Sequence, residues 1–165
     1  MNITRGKKEK AQRLVIYGPE GIGKSTFAAQ FPEPVFIDTE DGTDHMDVAR
    51  LDKPTSWSMM LGQIDYLIKN GGAGFKTLII DTADWAEKLC IKHVCDGSQK
   101  QSIEDFGYGK GYVHLAEEFG RLLNGLSVLR DRGVNIVLTA HAIVKRHDEP
   151  NGMDSYDRYE LKLEK

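Results

Sequence analysis

The chain has 165 residues, of which 40% are hydrophobic and 28% charged, and its formal net charge is −3. This composition is typical of one globular domain with a real core, and the negative charge argues against coating nucleic acid by overall charge. No apolar run approaches the roughly 20 residues that a membrane span needs, so we predict no membrane partner and a cytoplasmic location.

The pattern of apolar residues predicts one domain over residues 13–165, preceded by a flexible N-terminal segment of residues 1–12. Short apolar runs predict buried strands at residues 14–17, 35–37, 77–81 and 134–139. Helices are predicted after Lys24 and at residues 57–68, 84–94 and 112–129. A polar excursion at 145–154 precedes an alternating segment at 156–163, which predicts an antiparallel edge strand or hairpin arm. Together these elements predict an α/β fold of three layers with a mainly parallel sheet.

One glycine-rich segment carries the clearest chemical signal. Residues 18–25 read Gly-Pro-Glu-Gly-Ile-Gly-Lys-Ser, which fits G-x-x-x-x-G-K-[ST] between a strand and a helix. Glycines let backbone N–H groups turn towards phosphate oxygens, Lys24 brings a charge to the β- and γ-phosphates, and Ser25 is a ligand for Mg²⁺. The alternative is a turn that merely joins strand and helix. We predict ATP and Mg²⁺ as cofactors, and as nucleotide-binding residues Gly18, Pro19, Glu20, Gly21, Ile22, Gly23, Lys24, Ser25 and Thr26.

Polar residues follow three of the predicted strands, at the edge where open α/β sheets bind ligands. Asp81 closes the third strand and is the predicted metal-linked carboxylate, or alternatively a helix cap. Glu40 follows the second strand and is the predicted base that orients water, or alternatively a solvated charge. His141 follows the fourth strand and is predicted to sense the γ-phosphate, or alternatively is a hydrogen-bonded structural residue. The predicted catalytic residues are Lys24, Glu40 and His141.

Four segments together resemble RecA-like ATPases, and most closely the phage-encoded AAA-type group associated with single-strand annealing and recombination. They are residues 17–29, 36–43, 103–112 and 155–160. The resemblance implies a RecA-like P-loop NTPase fold and the same roles for Glu40, Asp81 and His141. Such proteins continue beyond the point that matches Lys165, so the domain is expected to lack further C-terminal elements. The cation that bridges subunits is then missing, or is supplied by a residue such as Arg158.

The resemblance also implies DNA-binding loops after the third and fourth strands, which match residues 106–112 and 145–156. Lys110, Lys145 and Arg146 are predicted to neutralise phosphates, and Phe106 and Tyr108 to stack on bases. The alternative for both stretches is a solvated connection with glycine hinges.

We therefore expect a Mg²⁺-dependent ATPase coupled to single-stranded DNA in phage-type recombination, annealing or replication. The expected partners are single-stranded DNA and either further copies of the chain, in a ring or filament, or recombination and replication proteins in a bacterial host cell. Two alternatives stay open, a small-molecule phosphotransferase and an ATP-binding switch without efficient turnover. A GTPase is disfavoured because the sequence contains no Asn-Lys-x-Asp motif.

Overall fold

The computed structural model describes residues 3, 5, 6, 10–148 and 155–164. Six strands lie within these residues: β1 (Arg13–Gly18), β2 (Pro34–Asp38), β3 (Ala49–Arg50), β4 (Thr77–Asp81), β5 (Asn135–Asp148) and β6 (Ser155–Leu161). The α-helices of the same residues are α1 (Lys24–Ala28), α2 (Trp57–Lys69), α3 (Ala83–Gly97) and α4 (Lys110–Asp131). Short 3₁₀ turns lie at Gly71–Gly74 and Ile103–Phe106.

The strands form one sheet in the order β1-β5-β4-β2-β3, in which every neighbouring pair is parallel. Strand β6 pairs antiparallel with the second half of β5, from Ala142 with Leu161 to Asp148 with Ser155. β5 is therefore shared between the parallel sheet and a projecting hairpin. The prediction of a mainly parallel sheet with an antiparallel hairpin near the C-terminus is confirmed.

Apolar side chains of the strands alternate between the two faces of the sheet. Leu78 and Ile80 of β4 pack with α2, α3 and α4, whereas Ile79 lies between them on the face of α1, with Phe36 and Ala28. All five side chains are at most 1% exposed, and burying each of the larger ones contributes about 1.5–3 kcal/mol. Helices thus cover both faces, and the three-layer fold follows from this burial.

Helix α2 shows how local sequence places a helix on this sheet. The Ser56 hydroxyl accepts a hydrogen bond of 3.1 Å from the Met59 N–H and satisfies a free donor at the start of the helix. The buried residues recur at steps of three and four, as one apolar face requires: Trp57, Met60, Ile64 and Leu67.

The structure differs from the sequence-based elements mainly around β5. The predicted fourth strand at residues 134–139 continues through the first part of the predicted polar excursion to Asp148, and residues 149–154 lie outside the described residues. Strand β3 was not predicted, and α1 is a single short turn of helix. The division into residues 1–12 and 13–165 stays a prediction. Within the described residues, no helix combines the length and apolarity needed to cross a membrane.

Candidate nucleotide-binding site

The glycine-rich segment forms a tight turn between β1 and α1. Gly21 and Gly23 have φ angles of 76° and 91°, a left-handed conformation that glycine adopts without steric cost. Lys24 begins α1 and is buried. Its Nζ donates hydrogen bonds to the carbonyl oxygens of Gly18, at 3.1 Å, and Pro19, at 2.9 Å. The turn therefore encloses the ammonium group of Lys24.

A cavity of about 460 Å³ lies against this turn, where β2 and β4 end. The predicted residues that line the cavity are Glu20, Gly21, Gly23, Lys24, Ser25, Thr26, Glu40, Asp81 and His141. Three of the predicted nucleotide-binding residues do not line it. Gly18 and Pro19 hold Lys24 through their carbonyl groups, and the Ile22 side chain is 66% exposed.

Asp81, the last residue of β4, has one oxygen that no described residue pairs. Asp81 is 4% exposed, and the Thr139 hydroxyl donates a hydrogen bond to its Oδ1. Its buried Oδ2 has no hydrogen-bond partner among the described residues. An unpaired carboxylate oxygen is costly to bury, and a bound cation would offset that cost. The residues present therefore fit a metal ion.

The donor set at this position favours Mg²⁺. Within the described part of the chain, no group of three or more His, Cys, Asp or Glu side chains can hold a metal. Mg²⁺ instead binds through one or two protein oxygens together with phosphates and water. The Asp81 carboxylate and the Ser25 hydroxyl, which line the same cavity, are such oxygens.

The loop that carries Glu40 is fixed by the carboxylate of Asp38. Asp38 accepts hydrogen bonds from the backbone N–H groups of Glu40, at 3.0 Å, and of Gly42 and Thr43, and from the Thr43 hydroxyl. Burial alone would raise the pKa of Asp38, but these bonds outweigh it and the pKa is lowered. Asp38 therefore acts as the anchor of the loop, and Glu40 is the carboxylate that reaches the cavity.

Strands β2 and β4 are also tied together at the cavity by two threonines. The Thr39 hydroxyl donates to the Thr82 carbonyl at 2.9 Å and accepts from the Thr82 N–H at 2.8 Å, and the Thr39 N–H donates to the Asp81 carbonyl. The peptide bond between Asp81 and Thr82 is cis. Because both threonines are buried, Glu40 and Asp81 are held on adjoining, mutually bonded strand ends.

His141 lies between two carboxylates. Its Nδ1 is 2.9 Å from Asp84 Oδ2, and its Nε2 is 3.7 Å from Glu40 Oε2. The backbone N–H of His141 also donates to Asp84 Oδ1, at 3.0 Å. Burial alone would raise the pKa of Asp84, but the hydrogen bonds from the side chain and backbone of His141 outweigh it, and the pKa is lowered. The imidazole thus links α3 to the cavity.

Sequence reasoning missed several residues of this site. Asp84 was placed in a helix without a function, and Thr39, Thr82 and Thr139 were not singled out. Asp84 lies in the first turn of α3, where an acidic residue is common because it favours the helix dipole. The pattern that marks a helix start therefore concealed its contact with a residue 57 positions away.

The residues predicted to bind DNA lie outside the nucleotide cavity. Phe106 packs against the hydrophobic core, and its ring centroid lies 5.6 Å from that of His114. It is therefore not a free stacking side chain. Tyr108 and Lys110 are exposed, and the turn before them is tightly packed, because a Cβ on Gly111 would lie 2.1 Å from the Ile103 carbonyl oxygen.

The other predicted DNA contacts, Lys145 and Arg146, are exposed on the projecting half of β5. Lys145 pairs with Glu160 at 3.1 Å, and Arg146 lies 3.8 Å from Asp148. The cavity of about 490 Å³ that Lys145 borders also includes Tyr112, from the first turn of α4. Tyr112 and Lys145, one from each of the two stretches predicted to bind DNA, therefore border the same second cavity.

A glycine-rich turn that encloses a lysine, a buried carboxylate at the end of β4 and a parallel sheet with helices on both faces are the features of a P-loop nucleotide-binding protein. The sequence model of the AAA_24 family, described as an AAA domain, matches residues 10–165. The chain belongs to this family.

Comparison with solved structures agrees on the fold. The crystal structure of the RadB recombinase matches with a TM-score of 0.52 and 17% sequence identity, over 87% of this chain and 66% of the RadB chain. The likeness shows a RecA-like fold, and the chain spans just under two thirds of the RadB chain. No curated protein matches the sequence.

Proposed function

We propose that this protein is a Mg²⁺-dependent ATPase whose turnover is coupled to the binding of single-stranded DNA. One observation carries the proposal: the P-loop lysine, an acidic residue of the β2 loop, the buried Asp81 carboxylate and His141 all line a single cavity. These are the parts that phosphoryl transfer to water requires, namely a charge clamp, a metal-linked carboxylate and a group that orients the nucleophile.

Each residue has a distinct part in the proposed reaction. Lys24 exchanges its carbonyl partners for β- and γ-phosphate oxygens and neutralises their charge. Ser25 and Asp81 would hold Mg²⁺, which when bound would supply positive charge to the phosphates. Glu40 accepts a hydrogen bond from the attacking water and takes up its proton as the oxygen attacks the γ-phosphorus and the bond to ADP breaks. His141 contacts the γ-phosphate and registers its presence.

The link to DNA is supported by the continuity of β5. His141 faces the nucleotide cavity, and Lys145 and Arg146 follow on the same strand, in the hairpin with β6. A shift of His141 on hydrolysis would move the strand that carries these cations. Exposed cations on a projecting hairpin suit contact with a phosphate backbone.

The wider setting rests on resemblance to phage-encoded annealing and recombination ATPases. We propose a phage origin, a role in recombination, annealing or replication in the cytoplasm of a bacterial host, and assembly into a ring or filament. The fold that the chain shares with the RadB recombinase supports the recombination part of this proposal. Arg158 is the proposed bridging cation between copies. It lies exposed on β6 and contacts Glu160.

Turnover of ATP with and without single-stranded DNA tests the proposal. Phosphate release should require Mg²⁺ and rise on adding single-stranded DNA at low salt. Absence of phosphate release under both conditions would leave only an ATP-binding switch. A phosphorylated nucleoside or nucleotide in place of free phosphate would make the protein a phosphotransferase. A rate that DNA leaves unchanged at low salt would remove the DNA claim alone.

The role of Glu40 is tested by Glu40→Gln, which keeps the size of the side chain and removes the base. We expect phosphate release to fall by at least about 10²-fold, while ATP binding measured by calorimetry is retained. Glu117→Gln, an exposed position on α4, is the matched control and should behave as the unaltered protein. Equal rates for the two variants would exclude Glu40 as the base.

A further inference from the structure

Asp84 is a buried carboxylate for which the proposed reaction has no use of its own. It lies in the first turn of α3 and is 3% exposed. Both of its oxygens are engaged by one residue: Oδ1 accepts from the His141 backbone N–H at 3.0 Å, and Oδ2 lies 2.9 Å from the His141 Nδ1. A carboxylate that only complemented the helix dipole would need neither contact and could be solvated by water instead.

The backbone contact follows from the end of strand pairing. The last pair between β4 and β5 is Ile80 with Leu138, and β5 runs on past the end of β4. At His141 the side chain of Asp84 takes the place of a strand as acceptor for the backbone N–H. This bond fixes α3 against the point where β5 leaves the parallel sheet, and it brings the second carboxylate oxygen beside the imidazole.

The side-chain contact decides which ring nitrogen carries the proton. An ionised carboxylate only accepts hydrogen bonds, so the nitrogen facing it must be N–H. The lowered pKa of Asp84 agrees with an ionised group. In a neutral imidazole the proton is therefore on Nδ1, and Nε2 faces the cavity, 3.7 Å from Glu40 Oε2.

We propose that Asp84 is a positioning residue that sets the orientation of His141 and, in the neutral ring, its tautomer. Nε2 is then a hydrogen-bond acceptor that faces the cavity, and it becomes a donor to Glu40 or the γ-phosphate when it takes up a proton. The inference deepens the proposed ATPase and rests on it for its kinetic consequence. The tautomer itself is a property of the protein alone. Asp84 acts through His141 and does not touch the reacting atoms.

Asp84→Asn gives a sharp test because the amide can keep one contact and reverse the other. Its oxygen can still accept from the His141 N–H, but its NH₂ group then faces Nδ1 and donates to it. The imidazole proton should move to Nε2. Glu87→Gln is the matched control, since Glu87 is a second carboxylate of α3 that accepts a backbone N–H, from Glu164.

Long-range ¹H–¹⁵N spectra of the nucleotide-free protein, at a pH where the imidazole is neutral, report the tautomer of His141. His141→Gln assigns its signals among the five histidines. We expect Nδ1–H in the unaltered protein and in Glu87→Gln, and Nε2–H in Asp84→Asn. Nε2–H in the unaltered protein would overturn the proposal even if the variant failed to fold, and an unchanged tautomer in folded Asp84→Asn would do the same.

A kinetic cycle then tests whether Asp84 acts through His141. We expect Asp84→Asn to lower kcat by about 10–100-fold, as loss of a residue that orients a functional group does, with little change in KM. In a His141→Ala background the same substitution should have no further effect on kcat. Equal losses in both backgrounds would overturn the positioning role. If the unaltered protein does not hydrolyse ATP, the proposed function fails and the tautomer result still decides this inference.

Discussion

The nucleotide cavity and the proposed DNA surface differ in how firmly their side chains are held. Around the cavity, Lys24, Asp81 and Asp84 are at most 8% exposed. Lys24 donates to carbonyl oxygens of its own turn, and the two carboxylates accept hydrogen bonds from β5. On the β5–β6 hairpin Lys145 and Arg146 are exposed, and their ion pairs stay within the hairpin. The same strand thus passes from a packed site to a solvated one.

This contrast indicates which of the two sites is organised before its ligand arrives. A side chain that packing already holds loses little freedom on binding, whereas ordering a flexible side chain costs about 0.5–1.5 kcal/mol. Nucleotide affinity of the cavity should therefore persist at high salt, because binding replaces hydrogen bonds that already exist. The hairpin should bind through charge, with effects that salt weakens.

Lys24→Ala gives the largest effect if the cavity is the organised site. Removing its charge should lower ATP turnover by about 10²–10³-fold, because the developing phosphate charge loses its main donor. Phosphate release and calorimetric titration with ATP and Mg²⁺ measure the effect. Lys92→Ala, on the exposed side of α3 and paired with Asp96, is the control. ATP–Mg²⁺ binding as tight as in the unaltered protein would mean that the cavity is misassigned.

Asp81→Asn should separate the metal role from stability. The amide keeps an acceptor for Thr139 but loses the charge, so Mg²⁺-dependent turnover should fall by about 10²-fold. The thermal unfolding temperature should stay equal or rise, because a buried carboxylate with one unpaired oxygen is removed. Phosphate release against Mg²⁺ concentration and calorimetric unfolding measure both. A clear drop in unfolding temperature would indicate a structural role in place of a metal site.

The hairpin is tested by Lys145→Ala combined with Arg146→Ala. We expect the affinity for single-stranded DNA to be about 10-fold lower. The slope of log affinity against log salt concentration should become smaller by about one for each lost phosphate contact. Fluorescence anisotropy over a salt series measures both. Lys92→Ala combined with Arg121→Ala is the matched control, because these cations are also exposed and paired with acidic neighbours, but on α-helices. The same DNA affinity for the two double variants would assign the DNA surface elsewhere.

The smallest expected effect lies where the two regions join, at Glu87. Burial raises the pKa of Glu87 from 4.5 to about 7, and the hydrogen bond from the Glu164 N–H only partly offsets this. Because the folded pKa exceeds the unfolded one, the free energy of unfolding should fall as pH rises from 4.5 to about 7.

The expected size of this loss is about 1 kcal/mol, allowing for the partial exposure of the group. Urea unfolding at the two ends of that pH range measures it, and Glu87→Gln should remove this part of the slope. A slope that Glu87→Gln leaves unchanged would show that other groups cause the pH dependence.

The sequence predicted the nucleotide end of the molecule better than the hairpin, for a physical reason. Strand β4 was placed at its observed bounds because buried apolar runs and turn glycines leave local patterns. The continuation of β5 to Asp148 was missed, because a solvated hairpin needs no apolar alternation. The packing of Phe106 on the core was missed for a related reason, since it depends on a distant surface.

The contacts that complete the candidate site are also non-local. Asp84 meets His141 and Thr39 meets Thr82 only because the parallel sheet brings separate strand ends together. A single sequence shows which residues follow each strand, and the motif then predicts the cavity. It does not show which polar residues hold the predicted ones in place.

The hydrogen bonds of Lys24 to its own turn bear on how readily the proposed products leave the cavity. Because its ammonium already has the Gly18 and Pro19 carbonyl oxygens as partners, a departing phosphate leaves no desolvated cation behind. Losing product then exchanges one set of acceptors for another, and the enthalpic barrier to emptying the pocket is small. For the proposed ATPase, this arrangement favours repeated short cycles over long retention of ADP.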